Sequence, residues 1–304
     1  MDYKKILKNE NTRYKILRFF SWVPDKFMLK FQYKIKTGRK LDIDNPRRYT
    51  EKLQWMKCYY RDELMKKCAD KWNVREYVQE RNLGCILNHS YGVFESVEKI
   101  PWEILPNEFV IKDTLGGGGR SIIIVRDKKK IKMNNVISII NAWLNTSVEK
   151  KNLGREWVYD NRKHRILIED LLIADENGDL PDYKFFCFNG KVYCLYMMKN
   201  YTLHHDQGIL GFLDRDFNLM PVHRADFKPM IEQPEKPENY QEMVRIAEIL
   251  SKGFPHVRVD LYNIKGQIIF GEMTFFNASG YVQFEPDSFD FELGKQFVLP
   301  EKNN

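Results

Sequence analysis

The stretch 109–125 constrains this chain more than any other. Two β-branched apolar runs, Phe109-Val110-Ile111 and Ile122-Ile123-Ile124-Val125, flank a polar loop holding four consecutive glycines, Gly116, Gly117, Gly118 and Gly119. The pattern is strand, loop, strand. Without Cβ atoms the loop can take positive φ and bring backbone N–H groups to an anion, and Lys112 adds a point charge at the end of the first run. An ordinary glycine-rich turn fits the glycines equally well, so the rest of the chain has to decide.

The 304 residues leave room for two lobes, each with its own core. With 43% hydrophobic and 14% aromatic residues the chain is expected to fold. It has no run of eighteen apolar residues, and residues 1–8 lack the apolar stretch of a signal peptide, which predicts a cytoplasmic protein. The five cysteines, an odd number, show no zinc spacing and read as reduced thiols. A formal charge of +7 suggests acidic partners such as nucleotides, anionic sugars or lipid headgroups. No nucleic-acid-binding signature accompanies it, so nucleic acid is not an expected partner.

Residues 1–40 are rich in Lys and Arg and interleaved with Phe19, Phe20, Trp22, Phe27 and Phe31, with Pro24 dividing them into two short helices. Such a segment either packs as a helical extension or associates peripherally with the inner membrane face. Helices are predicted from Thr50 and through 61–81, where Asp70-Lys71 on its own reads as a solvated surface pair. A strand to Val93 and a short helix over 94–105 precede the glycine hairpin. After it, 131–143 is an amphipathic helix with Ile131, Val136, Ile139, Ile140 and Trp143 on its apolar side. The run Ile166-Leu167-Ile168 closes on Glu169-Asp170-Leu171-Leu172. Asn189-Gly190 turns a hairpin that puts Asp182 and Lys184 on one face and Lys199 at the far end. His204-His205-Asp206 reads as a substrate-side or solvent-facing loop, since adjacent histidines do not make a zinc site unaided.

A last hairpin, turned at Lys265-Gly266, places Asp260 and Glu272 on neighbouring strands inside apolar runs. Buried carboxylates need partners. They are either ion-paired with Arg258 or a similar base, or they are oxygen ligands of Mg²⁺ bridging nucleotide phosphates. Asn277 could add a neutral oxygen.

In this order, a lysine before a glycine-rich hairpin, a β run closing on Glu-Asp-Leu-Leu, an acid and a base on the next strand, then Val-Asp-Leu and Gly-Glu resemble the ATP-grasp superfamily. Asn45-Pro46, Glu51-Lys52-Leu53-Gln54-Trp55, Gly154-Arg155-Glu156-Trp157 and the blocks 182–191 and 253–262 resemble its TupA-like branch, associated with teichuronopeptide and other surface-polysaccharide synthesis. The resemblance covers about 45–294. It implies an α/β (α+β) fold of two lobes whose antiparallel sheets clasp a nucleotide, with an N-terminal helical extension. The division would be 1–44 for the basic extension, 45–164 for the lobe with the phosphate loop, and 165–304 for the lobe with hinge, metal and substrate residues.

Carried over position by position, the resemblance makes Lys71 and Lys112 ligands of ATP phosphates, and Gly116 to Gly119 with Arg120 and Ser121 their lid. Glu169, Asp170 and Leu172 become the hinge for adenine and ribose. Lys184, Lys199 and Arg258 are the implied catalytic side chains, and Asp260, Glu272 and Asn277 the Mg²⁺ ligands. Two positions depart from the superfamily pattern. Thr274 stands where an asparagine usually follows the metal glutamate, leaving Thr274, Asn277 or nothing as third ligand, with Asn277 the better oxygen donor. Asp113-Thr114-Leu115 precedes the glycines where related chains carry a histidine. The implied activity is ATP-dependent carboxylate–amine ligation through an acyl phosphate, joining an amino acid or amine to a uronic-type carboxylate of an acidic saccharide or lipid-linked saccharide of the cell envelope or capsule. Glycosyl transfer, a small-molecule kinase and a nucleotide-binding scaffold are the alternatives.

Overall fold

The computed structural model describes residues 15, 17–117, 121–146, 148, 150–172, 179–200 and 208–303. The glycine hairpin forms: β2 (Phe109–Asp113) pairs antiparallel with β3 (Ile122–Val125), Phe109 opposite Val125 and Lys112 opposite Ile122. With β1 (Ser90–Phe94) and β4 (Ile166–Glu169) they make a four-stranded sheet in the order β1-β4-β2-β3. Strand alternation sends Phe109, Ile111, Ile166 and Ile168 into a core shared with Val136 and Ile140 of α5 (Met133–Leu144), and leaves Lys112 and Glu169 on the other face.

A six-stranded sheet forms the larger half: β5 (Asp182–Phe188), β6 (Lys191–Lys199), β7 (Ile209–Asp214), β9 (Lys228–Pro229), β10 (His256–Ile264) and β11 (Gln267–Thr274), in the order β11-β10-β5-β6-β7-β9. Its pairs are antiparallel except β7 with the short edge strand β9. A separate two-residue pair joins β8 (His223–Arg224) to β12 (Phe284–Glu285). Helices α1 (Asp25–Thr37), α2 (Tyr49–Tyr59), α3 (Glu63–Cys68), α4 (Val74–Glu80), α6 (Tyr240–Ser251) and α7 (Ser288–Gln296) contribute to the same large core. Tyr49 of α2 is fully buried, hydrogen-bonds His256 Nε2 at 2.9 Å and meets Phe186 and Phe188 edge-on. Tyr77 of α4 donates to the Leu250 carbonyl of α6 at 2.8 Å.

The helices before residue 81 share the core of the larger sheet, and β4, which begins after residue 164, lies between β1 and β2 of the smaller one.

Three local expectations change. Residues 94–105 hold only a single 3₁₀ turn, Val97–Lys99, because Pro101 and Pro106 deny a helix its donors. The helical stretch 61–81 breaks at Asp70, whose Oδ1 accepts from the Trp72 and Asn73 amides, both at 2.9 Å. Asp70 is also buried and paired with Arg162 and Arg165, so it is no solvated surface residue. On α5, Ile139 faces outward. Among the described residues no helix is long and apolar enough to cross a membrane.

Candidate active site

One polar row crosses four strands of the larger sheet. Glu272 on β11 stands opposite Asp260 on β10, Asp260 opposite Lys184 on β5, and Lys184 opposite Tyr196 on β6. Pairing slips just beyond Asp260, and a Cβ on Gly271 would come 3.0 Å from the Asp260 carbonyl oxygen, so glycine permits this bulge.

Asp260, 1% exposed, accepts three charge-assisted hydrogen bonds from two partners. Arg258 donates Nε to Oδ1 and Nη2 to Oδ2, both at 2.7 Å, and Lys184 Nζ donates to Oδ2 at 2.6 Å. The same guanidinium reaches Asn277 Oδ1 at 2.5 Å, Thr274 Oγ1 at 3.0 Å, Tyr196 Oη at 3.1 Å and Glu272 Oε1 at 3.2 Å. The ion-pair reading of Asp260 therefore describes its contacts here. The three oxygens expected to take a metal do converge, and the cation at their focus is Arg258. Lys184 also pairs with Asp182, whose Oδ1 is buried without a hydrogen-bond partner among the described residues, as is Asn277 Nδ2.

Burial and charge divide these groups. Burial lifts the Asp182 carboxyl to about 6 despite Lys184, with Asp260 adding to the rise. At Glu272 burial acts upward too, but Lys71, Arg258, Lys184 and the Thr274 hydroxyl outweigh it and pull the carboxyl down to about 2. Burial works against the charge of Lys184, and Asp182 and Asp260 hold it protonated well above the usual lysine range.

The smaller sheet presents a second set. Glu169, buried, accepts from Lys112 Nζ at 2.7 Å and from Arg75 Nη1 at 2.9 Å. The neighbouring Asp170 accepts from the Tyr91 hydroxyl and stands 3.4 Å from His89 Nδ1, with Leu172 half-buried two residues on. Lys71 joins the two sets: its Nζ donates to the Gly116 carbonyl and lies 3.6 Å from Glu272 Oε2. A Cβ on Gly116 would collide with the Ser121 side chain, so close packing demands this glycine; neither it nor Gly117 has a positive φ. Gly118, Gly119 and Arg120 lie outside the described residues, as do His204, His205 and Asp206. Lys199 is not drawn into the row. Alternation sets it on the opposite face of β6 from Tyr196, and it has no ion pair among the described residues.

Asn277 heads a turn with three successive left-handed residues, Ala278 (φ 46°), Ser279 (φ 55°) and Gly280 (φ 70°). Helix α2 braces it. Gln54 Nε2 donates to the carbonyls of Ser279 and Gly280 at 3.0 and 2.9 Å, and the fully buried Lys57 donates to the Ser279 carbonyl, Ser279 Oγ and the Gly154 carbonyl at 2.9–3.0 Å. Burial pulls the Lys57 ammonium down to about 7. Ser279 Oγ in turn donates to Glu156. Gln54 and Lys57 of α2, with Gly154 and Glu156, thus hold a strained turn beside the row.

Beyond Glu156 opens a cavity of about 840 Å³, within the range of small-molecule sites. Arg18, Lys36, Arg162 and His164 line it with Leu115 and Gly117 of the glycine loop, and Glu156 is its acid. Tyr159, in the same wall, has its hydroxyl pushed up by burial and then by Glu156 and Glu272.

Several residues of this site had no motif of their own. Arg75, Tyr196 and Lys57 arrive through tertiary packing. Asp182 was legible as a partner of Lys184, two positions away on one strand face. Among the described residues no group of three His, Cys, Asp or Glu side chains is arranged to hold a metal, so the candidate donors remain two acids and an amide.

A family model described as TupA-like ATPgrasp matches residues 51–298. A search of curated proteins gives no match. Solved structures that resemble the chain include D-alanine–D-alanine ligase from Bacillus anthracis (16% identity, 68% of this chain and 57% of that one, TM-score 0.39). Others are N5-carboxyaminoimidazole synthetase from Staphylococcus aureus complexed with ADP (11%, 78% and 54%, 0.42) and L-amino acid ligase from Bacillus licheniformis (15%, 71% and 42%, 0.41). The chain spans about half the length of these structures.

Proposed function

Since the chain belongs to the TupA-like ATP-grasp family, we propose that it is an ATP-dependent carboxylate–amine ligase of surface-polysaccharide synthesis. The observation that carries this reading is Lys71, one ammonium that touches both the glycine loop and Glu272 of the polar row. A phosphate chain laid between Lys71, Lys112 and Lys184 would meet three cations without any protein nucleophile, and phosphoryl transfer asks for positioning and charge neutralisation.

In this reaction a substrate carboxylate oxygen attacks the γ-phosphorus and the bond to ADP breaks. An amine nitrogen then attacks the acyl carbon, phosphate leaves, and the nitrogen gives up a proton. Lys112 and Lys71 orient the phosphates, the latter while holding the loop down. Lys184 and Arg258 neutralise the transferred group. The loop residues Gly117 to Ser121 are assigned supporting contacts, and Glu169, Asp170 and Leu172 the nucleoside; Lys199, on the other face of β6, has no assigned role at the phosphates. Asp260, Glu272 and Asn277 are oxygen donors whose chemistry fits Mg²⁺, and Asn277 Nδ2 is buried with no hydrogen-bond partner among the described residues. Mg²⁺ would supply charge neutralisation at the phosphates.

The cationic cavity beside Tyr159 favours an anionic second substrate, which supports a uronic-type saccharide as the carboxylate carrier. The test is a product assay with ATP, Mg²⁺ and panels of amino acids and uronic acids. ADP, inorganic phosphate and an amide formed together support the ligase. A nucleoside diphosphate released from a sugar nucleotide with no ATP consumed would instead mean glycosyl transfer.

A further inference from the structure

Between Lys15 and Lys40 stand eight Lys or Arg and a single acid, Asp25. Helix α1 sorts them. At about 100° per residue, Leu29, Tyr33 and Thr37 share one side and are buried, while Phe27, Phe31 and Ile35 fall on the side diametrically opposite. Phe27 is 68% and Phe31 62% exposed, and the preceding segment adds Phe19 at 72% and Trp22 at 75%. That segment is fixed in place: Arg155, buried, donates to the carbonyls of Phe20, Ser21 and Val23.

One flank of the stripe is basic. Lys26, Lys30 and Lys34 run along one side of it, where Lys26 and Lys30 share Asp44, Lys26 also meets Tyr59, and Lys34 donates to the Gly38 carbonyl. Along the other side lie Gln32 and Lys36, which line the 840 Å³ cavity. Large apolar residues set out on a helix and bordered on one side by Lys26, Lys30 and Lys34 match the chemistry of an anionic bilayer surface, into which the rings insert while the lysines meet headgroups.

We propose that this face of α1, with Phe19 and Trp22, docks the protein peripherally on an anionic membrane. Because Gln32 and Lys36 sit one helical step from the stripe, docking brings the cavity wall to the bilayer, and a lipid-linked anion could enter from the membrane plane. The docking itself does not rest on the ligase reading.

The experiment is sedimentation of full-length protein with vesicles of phosphatidylcholine alone or with added phosphatidylglycerol. Binding is expected only with phosphatidylglycerol, and is expected to fall at least ~tenfold as salt rises from 0.1 M to 1 M, where the Debye length shrinks from about 10 Å to about 3 Å. The exposed pair Phe27→Ser/Phe31→Ser should lose at least ~tenfold in vesicle affinity, as two rings no longer leave water, while circular dichroism and solution ATP turnover stay at parent values. Protein that stays in the supernatant with anionic vesicles at low salt overturns the proposal. So does a double variant that binds like the parent, or light scattering that finds a dimer dissolved by the double substitution without vesicle binding, since the face would then join two copies of the chain.

Discussion

Arg258 holds Asp260 by both carboxylate oxygens, Nε to Oδ1 and Nη2 to Oδ2, each at 2.7 Å. This planar fork is beyond a lysine, whose ammonium is a single point charge. Arg258→Lys is therefore expected to lower turnover by about 10²-fold, the scale of losing one preorganised charge-stabilising group. Arg258→Ala leaves a buried carboxylate with Lys184 alone and should cost about 3–5 kcal/mol of stability. Steady-state kinetics and chemical denaturation measure the two effects, and an Arg258→Lys enzyme with parent kcat would remove the guanidinium from the mechanism.

Lys112→Ala and Glu272→Ala should each lose at least ~10²-fold in turnover. The folded state is expected to survive both, since Glu272 is 37% exposed and Lys112 lies on the face of its strand away from the core. Near-parent activity in either purified variant would contradict its assigned role.

Asp182 predicts a pH limb. Its carboxyl, lifted to about 6 by burial, must be ionised to pair with Lys184, so turnover should fall as pH drops below about 6. The linkage runs the other way for stability. A raised carboxyl means that the folded chain binds more protons than the unfolded one between the ordinary aspartate value and about 6, so this group's contribution declines as pH rises through that window. Glu272, near 2, stays charged throughout. Asp182→Asn should flatten the acid limb of kcat; an unchanged limb assigns it to another group.

Asn277 and Thr274 both contact Arg258, at 2.5 and 3.0 Å. The amide oxygen is the stronger Mg²⁺ donor, so Asn277→Ala should raise the Mg²⁺ concentration for half-maximal activity by ~10-fold or more, the scale of losing a metal-site contact, and Thr274→Ala by less. Titration of activity with Mg²⁺ compares them. The reverse order would move the third oxygen to Thr274.

The polar row was largely legible in the sequence because strand alternation is a local rule. Asp182 with Lys184, and Asp260 with Glu272 across a hairpin, follow from spacing and from one turn at Lys265-Gly266. The brace on the Asn277 turn was not, because Lys57 looks like any helical lysine until the fold seals it among carbonyls from two distant segments. The short helix placed over 94–105 failed for want of weight on Pro101 and Pro106. The buried Asp70 was misjudged because its partners, Arg162 and Arg165, lie some ninety residues away.

Helices α1 to α4 precede the smaller sheet in the chain and yet pack on the larger one that follows it. During synthesis this reverses the order of completion. Residues 90–169 emerge as a contiguous unit able to close its own core on the ribosome, while Tyr33, Tyr49 and Tyr77 wait with bare apolar surfaces for β5 to β11. The last helix, α7, supplies Asp290, which accepts from the Thr50 amide at 3.0 Å and hydroxyl at 2.8 Å. The packing of α2 is thus completed only after α7 is made, and a nascent chain cut short before α7 would carry a larger lobe whose core is still open at Thr50.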